Sequence, residues 1–138
     1  MTNSELKTSS PTRTPCPSNQ TPSELVHEFL LRLKESPFKG DIEESYAKRL
    51  MAATDNSLYQ LMPSAIIFPK NHEDVERVMT LLAEPRFRSL SITPRGGGTG
   101  TNGQSLTFGL VLDLSRYMNN IISLDQENRT VTVQTGVV

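Results

Sequence analysis

A glycine-rich stretch between two strand-like apolar runs constrains this chain more than any other feature of its sequence. Five glycines occur among the eight residues 96–103, and Arg95 precedes them. Glycine leaves backbone amides unshielded and free to adopt positive φ, which a loop needs if several N–H donors are to surround a phosphate. A plain surface turn is the alternative, but it needs only one or two glycines and no arginine. The stretch therefore predicts an anion-binding loop.

The candidate anion-binding residues form one continuous segment. Arg95 supplies a fixed, forked positive charge at its edge. The short polar side chains between positions 99 and 105 add hydrogen-bonding groups with little bulk. We expect contacts to the anion from Pro94, Arg95, Gly96, Gly97, Gly98, Thr99, Gly100, Thr101, Asn102, Gly103, Gln104 and Ser105.

Three familiar nucleotide-binding motifs do not fit this segment. Gly98, Gly100 and Gly103 match the spacing G-x-G-x-x-G, but a dinucleotide fingerprint must open a helix, and residues 106–114 are rich in strand formers. A kinase loop is followed by a lysine on a strand, whereas Lys70 is the last lysine of the chain. The Gly-Lys-Ser/Thr of a P-loop is also absent from the sequence. The pattern predicts a strand, a glycine loop that holds a diphosphate, and another strand.

The first part of the chain predicts helices. A capping box at residues 21–24 indicates a helix that ends before Pro37. A second capping pattern, Asp41 with Glu44, predicts another helix with an apolar stripe of Ile42, Tyr46 and Leu50.

The rest of the chain predicts a small sheet, so the expected fold class is α+β. A strand at 65–68 is followed by a helix from Asn71 that ends at Pro85. The helix would be a crossover connection if the next strand pairs parallel to the first. The further strands are expected at 90–93, 110–114, 121–124 and 130–135, the last two as a hairpin.

Composition excludes several classes of function. The formal net charge is -1, so no overall field favours nucleic acid or an anionic membrane. No apolar run approaches the roughly 20 residues that cross a bilayer. The single cysteine, Cys16, and the separated histidines, His27 and His72, make a metal site improbable. These features predict a protein of a reducing compartment with no metal, no nucleic-acid partner and no membrane span.

The chain divides into three parts by composition. Residues 1–20 are rich in Pro, Ser and Thr and predict a disordered tail. Residues 21–62 are expected to form an N-terminal helical segment, and residues 63–138 the ligand-binding domain. Because the sequence stops directly after a strand, we expect the chain to be a piece truncated at its C-terminus.

Ordered sequence blocks resemble the FAD-linked oxidoreductases of the p-cresol methylhydroxylase (PCMH) and vanillyl-alcohol oxidase type. The resemblance covers residues 40–138. Within that family the amino-acid sequence of the blocks resembles that of bacterial enzymes of the D-2-hydroxyglutarate dehydrogenase type, which couple a flavin module to an iron–sulfur module. The family resemblance is carried by residues 54–59, 66–69, 74–75, 94–105 and 131–137, and the closer likeness by residues 53–61 and 94–104.

The resemblance implies the first subdomain of a PCMH-type FAD-binding domain. The FAD diphosphate would lie on the 95–105 loop and the adenine end near Gly136 and Val137. Some relatives attach FAD through a histidine at the position of Thr99, so the flavin here is expected to be non-covalent. Three further side chains, as suited to a structural turn as to cofactor contact, are Asp55, Ser57 and Tyr59.

By the same resemblance, the protein is expected to be a cytoplasmic, FAD-dependent enzyme that oxidises a 2-hydroxy acid. Its electrons would pass to a downstream acceptor through [4Fe-4S] clusters outside this chain, and the chain alone is expected to be inactive. No catalytic residue can be named from these residues. The alternatives are a D-lactate or glycolate dehydrogenase of the same family, or a non-catalytic truncated nucleotide-binding module.

Overall fold

The structure, a computed structural model, describes residues 21–138, so the expected disordered tail at 1–20 lies outside the described residues. It has the mixed α+β architecture that the sequence predicts. The helices are α1 (Pro22–Glu35), α2 (Tyr46–Met51) and α3 (His72–Leu82). The strands are β1 (Asp41–Glu43), β2 (Ala65–Phe68), β3 (Ile92–Arg95), β4 (Leu110–Asp113), β5 (Ile121–Asp125) and β6 (Thr130–Val133).

The main sheet has four strands in the order β1-β2-β4-β3. Strand β1 is antiparallel to β2, whereas β2, β4 and β3 are mutually parallel. The strand expected at 90–93 begins at Ile92 and pairs with β4, not with β2. Pro94 explains this position, because a proline cannot donate to a ladder and is confined to edge strands. The fully apolar start of β4 takes the central place, where both faces are covered.

The expected hairpin is confirmed and forms a separate sheet. Strands β5 and β6 pair antiparallel, with Asp125 opposite Thr130 and a register irregularity between Ile121 and Ser123. All residues of both strands are exposed. The hairpin therefore contributes little to the core of the described residues.

Helix α1 follows from its local sequence. The side chain of Thr21 accepts from the amide of Glu24, and Glu24 accepts in return from the amide of Thr21, which completes the expected capping box. Its buried face packs with α3 against one side of the sheet. That face consists of Leu25, Val26, Phe29, Leu30 and Leu33.

Strand β2 is buried on both faces because different elements cover each side. Ala65 and Ile67 face the core beneath α1 and α3. Ile66 and Phe68 face the opposite side, where they pack with Ala52 just after α2. The second face is the one on which the glycine loop is held.

The prediction of a helix that starts at Asp41 is wrong for the first turn. Residues 41–43 form β1, and the helix starts at Tyr46 with Ser45 as its N-cap. The carboxylate of Asp41 accepts from the hydroxyl of Tyr117, so it does not cap a helix. Pairing with β2 covers that strand's open edge, and this non-local gain outweighs the local capping signal. The predicted stripe does not form one core face, because Ile42 packs against the core from β1 whereas Tyr46 is 69% exposed and Leu50 is 40% exposed.

We expect Thr21→Ala to lower the free energy of unfolding by about 1 kcal/mol. The substitution removes the acceptor for one of the free amides at the start of α1. Ser23→Ala is the matched control, because Ser23 lies inside the helix and does not cap it. Urea denaturation of the two variants measures the difference, and equal midpoints would contradict the role of the cap.

Candidate functional site

The glycine-rich loop, residues 96–109, connects two parallel neighbours, β3 and β4, without a helix. Gly98 and Gly103 adopt positive φ, at 66° and 73°. The loop must return from the end of β3 to the start of β4, where Gly109 lies against Ser91 so closely that a Cβ would be 2.1 Å from the Ser91 carbonyl oxygen. The predicted order of strand, glycine loop and strand is confirmed.

A cavity of about 420 Å³ lies in the loop, and it is built entirely from predicted residues. Its donors are backbone amides and small polar side chains, and none of the nine described residues that line it is acidic. Such a lining suits an anion, because no fixed negative charge opposes it. The lining residues are Pro94, Gly96, Gly97, Gly98, Thr99, Gly100, Thr101, Gln104 and Ser105.

Arg95 does not line this cavity. Its Nη2 donates to the carbonyl of Thr54 at 2.9 Å, and its Nη1 lies 3.4 Å from both the carbonyl of Ala52 and the Oγ of Ser105. The guanidinium sits behind Gly98, where a Cβ would lie 2.3 Å from Nη2. The charge predicted to meet the diphosphate directly is therefore bound to the protein's own backbone.

The second group of predicted residues does reach the loop. Asp55 accepts from the hydroxyl of Ser105 at 3.2 Å and from the amide of Ser57 at 2.8 Å. Hydrogen bonds from Ser57 hold the pKa of the Asp55 carboxyl below its usual value, and the hydroxyl of Ser105 and the charge of Arg95 lower it further. Asp55 therefore stays ionised at neutral pH as the partner of the loop.

Backbone contacts join the same two segments. The amide of Asn56 donates to the carbonyl of Gly100 at 3.1 Å. The ring of Tyr59 covers Gly103, since a Cβ there would lie 3.1 Å from the ring. Residues 52–59 thus pack against the loop, as the structural-turn interpretation expects, and their contact with a cofactor stays a prediction.

Gly136 and Val137 lie at the same edge of the sheet but outside the 420 Å³ cavity. The amide of Gly136 donates to the carbonyl of Met118 at 2.8 Å, and a Cβ on Gly136 would be 2.2 Å from the carbonyl oxygen of Leu114. Leu114 in turn donates to the carbonyl of Arg95 at 2.9 Å. The chain thus returns close to the start of the loop, and the adenine contact remains a prediction.

A second cavity, of about 440 Å³, shares Gly96 and Gly97 with the first. Its floor is apolar, with Ile66 and Phe68, and its polar rim includes Lys48, Arg95 and Arg116. Arg116 lies over the ring of Phe68, 4.9 Å from the centroid. A further cavity of about 510 Å³, between α1 and α3, has no loop residue in its lining.

Sequence reasoning missed the acceptors that hold Arg95. They are main-chain carbonyls of Ala52 and Thr54, and a carbonyl carries no signature in the sequence.

Within residues 21–138, no cluster of three or more His, Cys, Asp or Glu side chains could hold a metal ion. No helix in that described range has the length and apolar character needed to cross a membrane.

Comparison with known proteins matches residues 63–138 to the family model described as an FAD binding domain. D-2-hydroxyglutarate dehydrogenase of Pseudomonas putida is 55% identical over 121 residues, which are 88% of this chain and 12% of that protein. The enzyme of the same name from Escherichia coli is 50% identical over 115 residues, 83% of this chain and 11% of its own. The chain thus spans about an eighth of the length of these relatives.

Solved structures share the fold. An alkyldihydroxyacetonephosphate synthase superposes with a TM-score of 0.68 at 25% identity, covering 88% of this chain and 26% of its own. p-Cresol methylhydroxylase with bound substrate superposes with a TM-score of 0.63 at 21% identity, covering 83% of this chain and 22% of its own. The expected PCMH-type architecture is confirmed at the level of the fold.

Proposed function

We propose a function for this chain from the premise that it belongs to the FAD binding domain family. The chain is the part that binds FAD in a dehydrogenase that oxidises D-2-hydroxyglutarate. The single observation that carries the FAD site is the 420 Å³ cavity, which the glycine loop lines together with Pro94 of β3. The substrate class rests on the relatives' names, since both are called D-2-hydroxyglutarate dehydrogenase.

The residues of the loop fit a diphosphate. The amides of Gly96, Gly97 and Gly98 can approach phosphate oxygens closely, because glycine has no side chain of its own to shield its amide. A Cβ at Gly96 would meet nothing within 4 Å, so this backbone borders open space that a ligand can enter. The hydroxyls of Thr99 and Thr101 add donors from the same side.

Bound FAD supplies the two-electron oxidation of the carbon that bears the substrate hydroxyl. The residues of this chain hold the diphosphate, and no acidic residue is among those that line the cavity. Thr99 offers no nucleophilic ring nitrogen, so the proposal includes a non-covalent flavin. The proton-transfer groups of the reaction are assigned to residues outside this chain.

The whole protein is proposed to act in the cytoplasm on a small 2-hydroxy acid. Electrons would leave through iron–sulfur clusters, which need cysteine thiolates. Cys16 is the single cysteine of the chain, so these ligands would come from other polypeptide segments.

We expect the full-length protein to purify with the absorption bands of flavin. Anaerobic addition of D-2-hydroxyglutarate should bleach these bands, because electrons from the substrate reduce the cofactor. The L enantiomer is the control and should leave them unchanged. Denaturation with acid should release all the flavin into the supernatant, since no covalent bond holds it.

Two outcomes would overturn parts of this proposal. Bleaching by glycolate or D-lactate instead would favour the rival dehydrogenases; a Bacillus subtilis relative, 41% identical over 101 residues, is named glycolate oxidase subunit GlcD. A colourless full-length protein that binds no added FAD would favour the non-catalytic module.

A further inference from the structure

We infer that Arg95 is a positioning residue: it fixes the glycine loop to residues 52–55 from behind, and neutral donors hold the phosphates. This inference rests on the proposed FAD site. It differs from the simplest interpretation of an arginine beside a glycine loop, in which the guanidinium binds the diphosphate itself.

The guanidinium is already bonded to the protein. It reaches two main-chain carbonyls, those of Thr54 and Ala52, and the hydroxyl of Ser105. These acceptors lie on two separate segments, one just after α2 and one at the far end of the loop. Only a planar fork with several N–H groups can serve all three at once, and a lysine ammonium lacks that geometry.

The position of Gly98 explains why this arrangement needs a glycine. Its φ of 66° turns the loop over the guanidinium, and a Cβ there would lie 2.3 Å from Nη2 and 2.7 Å from Cζ. The loop backbone at Gly98 therefore packs directly against the guanidinium of Arg95. The cavity lies on the other side of the same backbone, since Gly98 lines it and Arg95 does not.

Further bonds make the two segments one assembly. Asp55 accepts from Ser105, and the amide of Asn56 donates to the carbonyl of Gly100. For Arg95 to reach a phosphate in the cavity, its bonds to the 52–54 carbonyls would have to break. Ala52 is buried, and leaving its carbonyl without a donor costs free energy, so this exchange is unfavourable.

The affinity for FAD of the full-length protein tests the inference through Arg95→Lys and Arg95→Ala. We expect both variants to weaken FAD binding by at least about tenfold, because neither side chain can join the two segments. Arg95→Lys is the discriminating variant, because it keeps the positive charge and loses the planar fork, so it should weaken binding about as much as Arg95→Ala. Direct contact of the charge with the diphosphate predicts the opposite: Lys should bind nearly as well as Arg.

Hydrogen exchange of the FAD-free protein provides a readout that needs no ligand. In Arg95→Ala we expect faster exchange at the amides of Asn56 and Leu61, which donate to Gly100 and Ala53. Exchange in the strand β2 should stay unchanged, which separates a local loss of order from general unfolding. Unchanged exchange at both amides would overturn the inference.

Arg88→Ala is the matched control, because Arg88 is an exposed arginine that lies before the first residue of β3, whereas Arg95 is its last residue. It should change neither the affinity for FAD nor the exchange of residues 52–61. The wild-type protein could bind no FAD while Arg95→Ala still raised the exchange rate of the Asn56 and Leu61 amides. In that case the proposed function would fail and the positioning role would stand.

Discussion

Gly98→Val in the full-length protein is expected to yield a protein that purifies without flavin. Valine is β-branched and poorly tolerates the φ of 66° that Gly98 adopts, a strain of about 1–3 kcal/mol. Its Cβ would also lie 2.3 Å from the Arg95 guanidinium, so either the loop or the arginine must move. We expect the two effects together to lower the affinity for FAD at least about a hundredfold. Fluorescence quenching on titration of FAD into the apo-protein measures the loss.

Gly97→Ala separates backbone conformation from simple loss of a glycine. Gly97 has no positive φ, and its nearest contact for a Cβ is the Thr99 methyl at 3.7 Å, an ordinary van der Waals distance. The loop of the Gly97→Ala variant should therefore keep its conformation, and the hydrogen-exchange rate of the Asn56 amide should match that of the wild type. If Gly98→Val retained wild-type affinity, the loop would not be the diphosphate site, however well the fold matches the family.

The sequence predicted those elements whose signals are local. The caps at Thr21 and Asn71 mark the starts of α1 and α3, and both accept the amide three residues on. The loop was also predictable, because positive φ and close backbone approach both demand glycine in the sequence itself. Such signals act within a few residues, so they survive in the folded protein.

What could not be predicted depends on contacts between distant residues. Asp41 lies next to Tyr117, Lys70 and Arg116, and the hydrogen bond from Tyr117 holds the pKa of its carboxyl below the usual value. None of these partners is visible from the four-residue pattern that suggests a helix cap. The same limit applies to Arg95, whose charge predicts an anion but whose partners at positions 52 and 54 are backbone atoms.

Asp74 shows how the same limit conceals a large contribution to stability. In the sequence it is one of two acidic residues in the first turn of α3, which suggests a solvated partner of the helix dipole. In the structure its side chain is fully buried. It accepts from the amide of Lys39 at 2.9 Å and from that of Lys70 at 3.0 Å, and so joins the segment before β1 to the segment after β2.

We therefore expect Asp74→Ala to lower the free energy of unfolding by about 3 kcal/mol or more, because two hydrogen bonds to a charged group are lost and each contributes about 1.5–3 kcal/mol. The amides of Lys39 and Lys70 lose their acceptor, and Arg77, whose Nη1 lies 3.6 Å from the carboxylate, loses its counter-charge. Glu73→Ala is the control in the same turn: Glu73 is exposed, so its loss should stay below about 1 kcal/mol. Urea denaturation of the full-length protein followed by circular dichroism, with exchange at the β2 amides to localise the effect, compares the two. Equal destabilisation by both substitutions would mean that the dipole, and not the bridge from residue 39 to residue 70, accounts for the acidic turn.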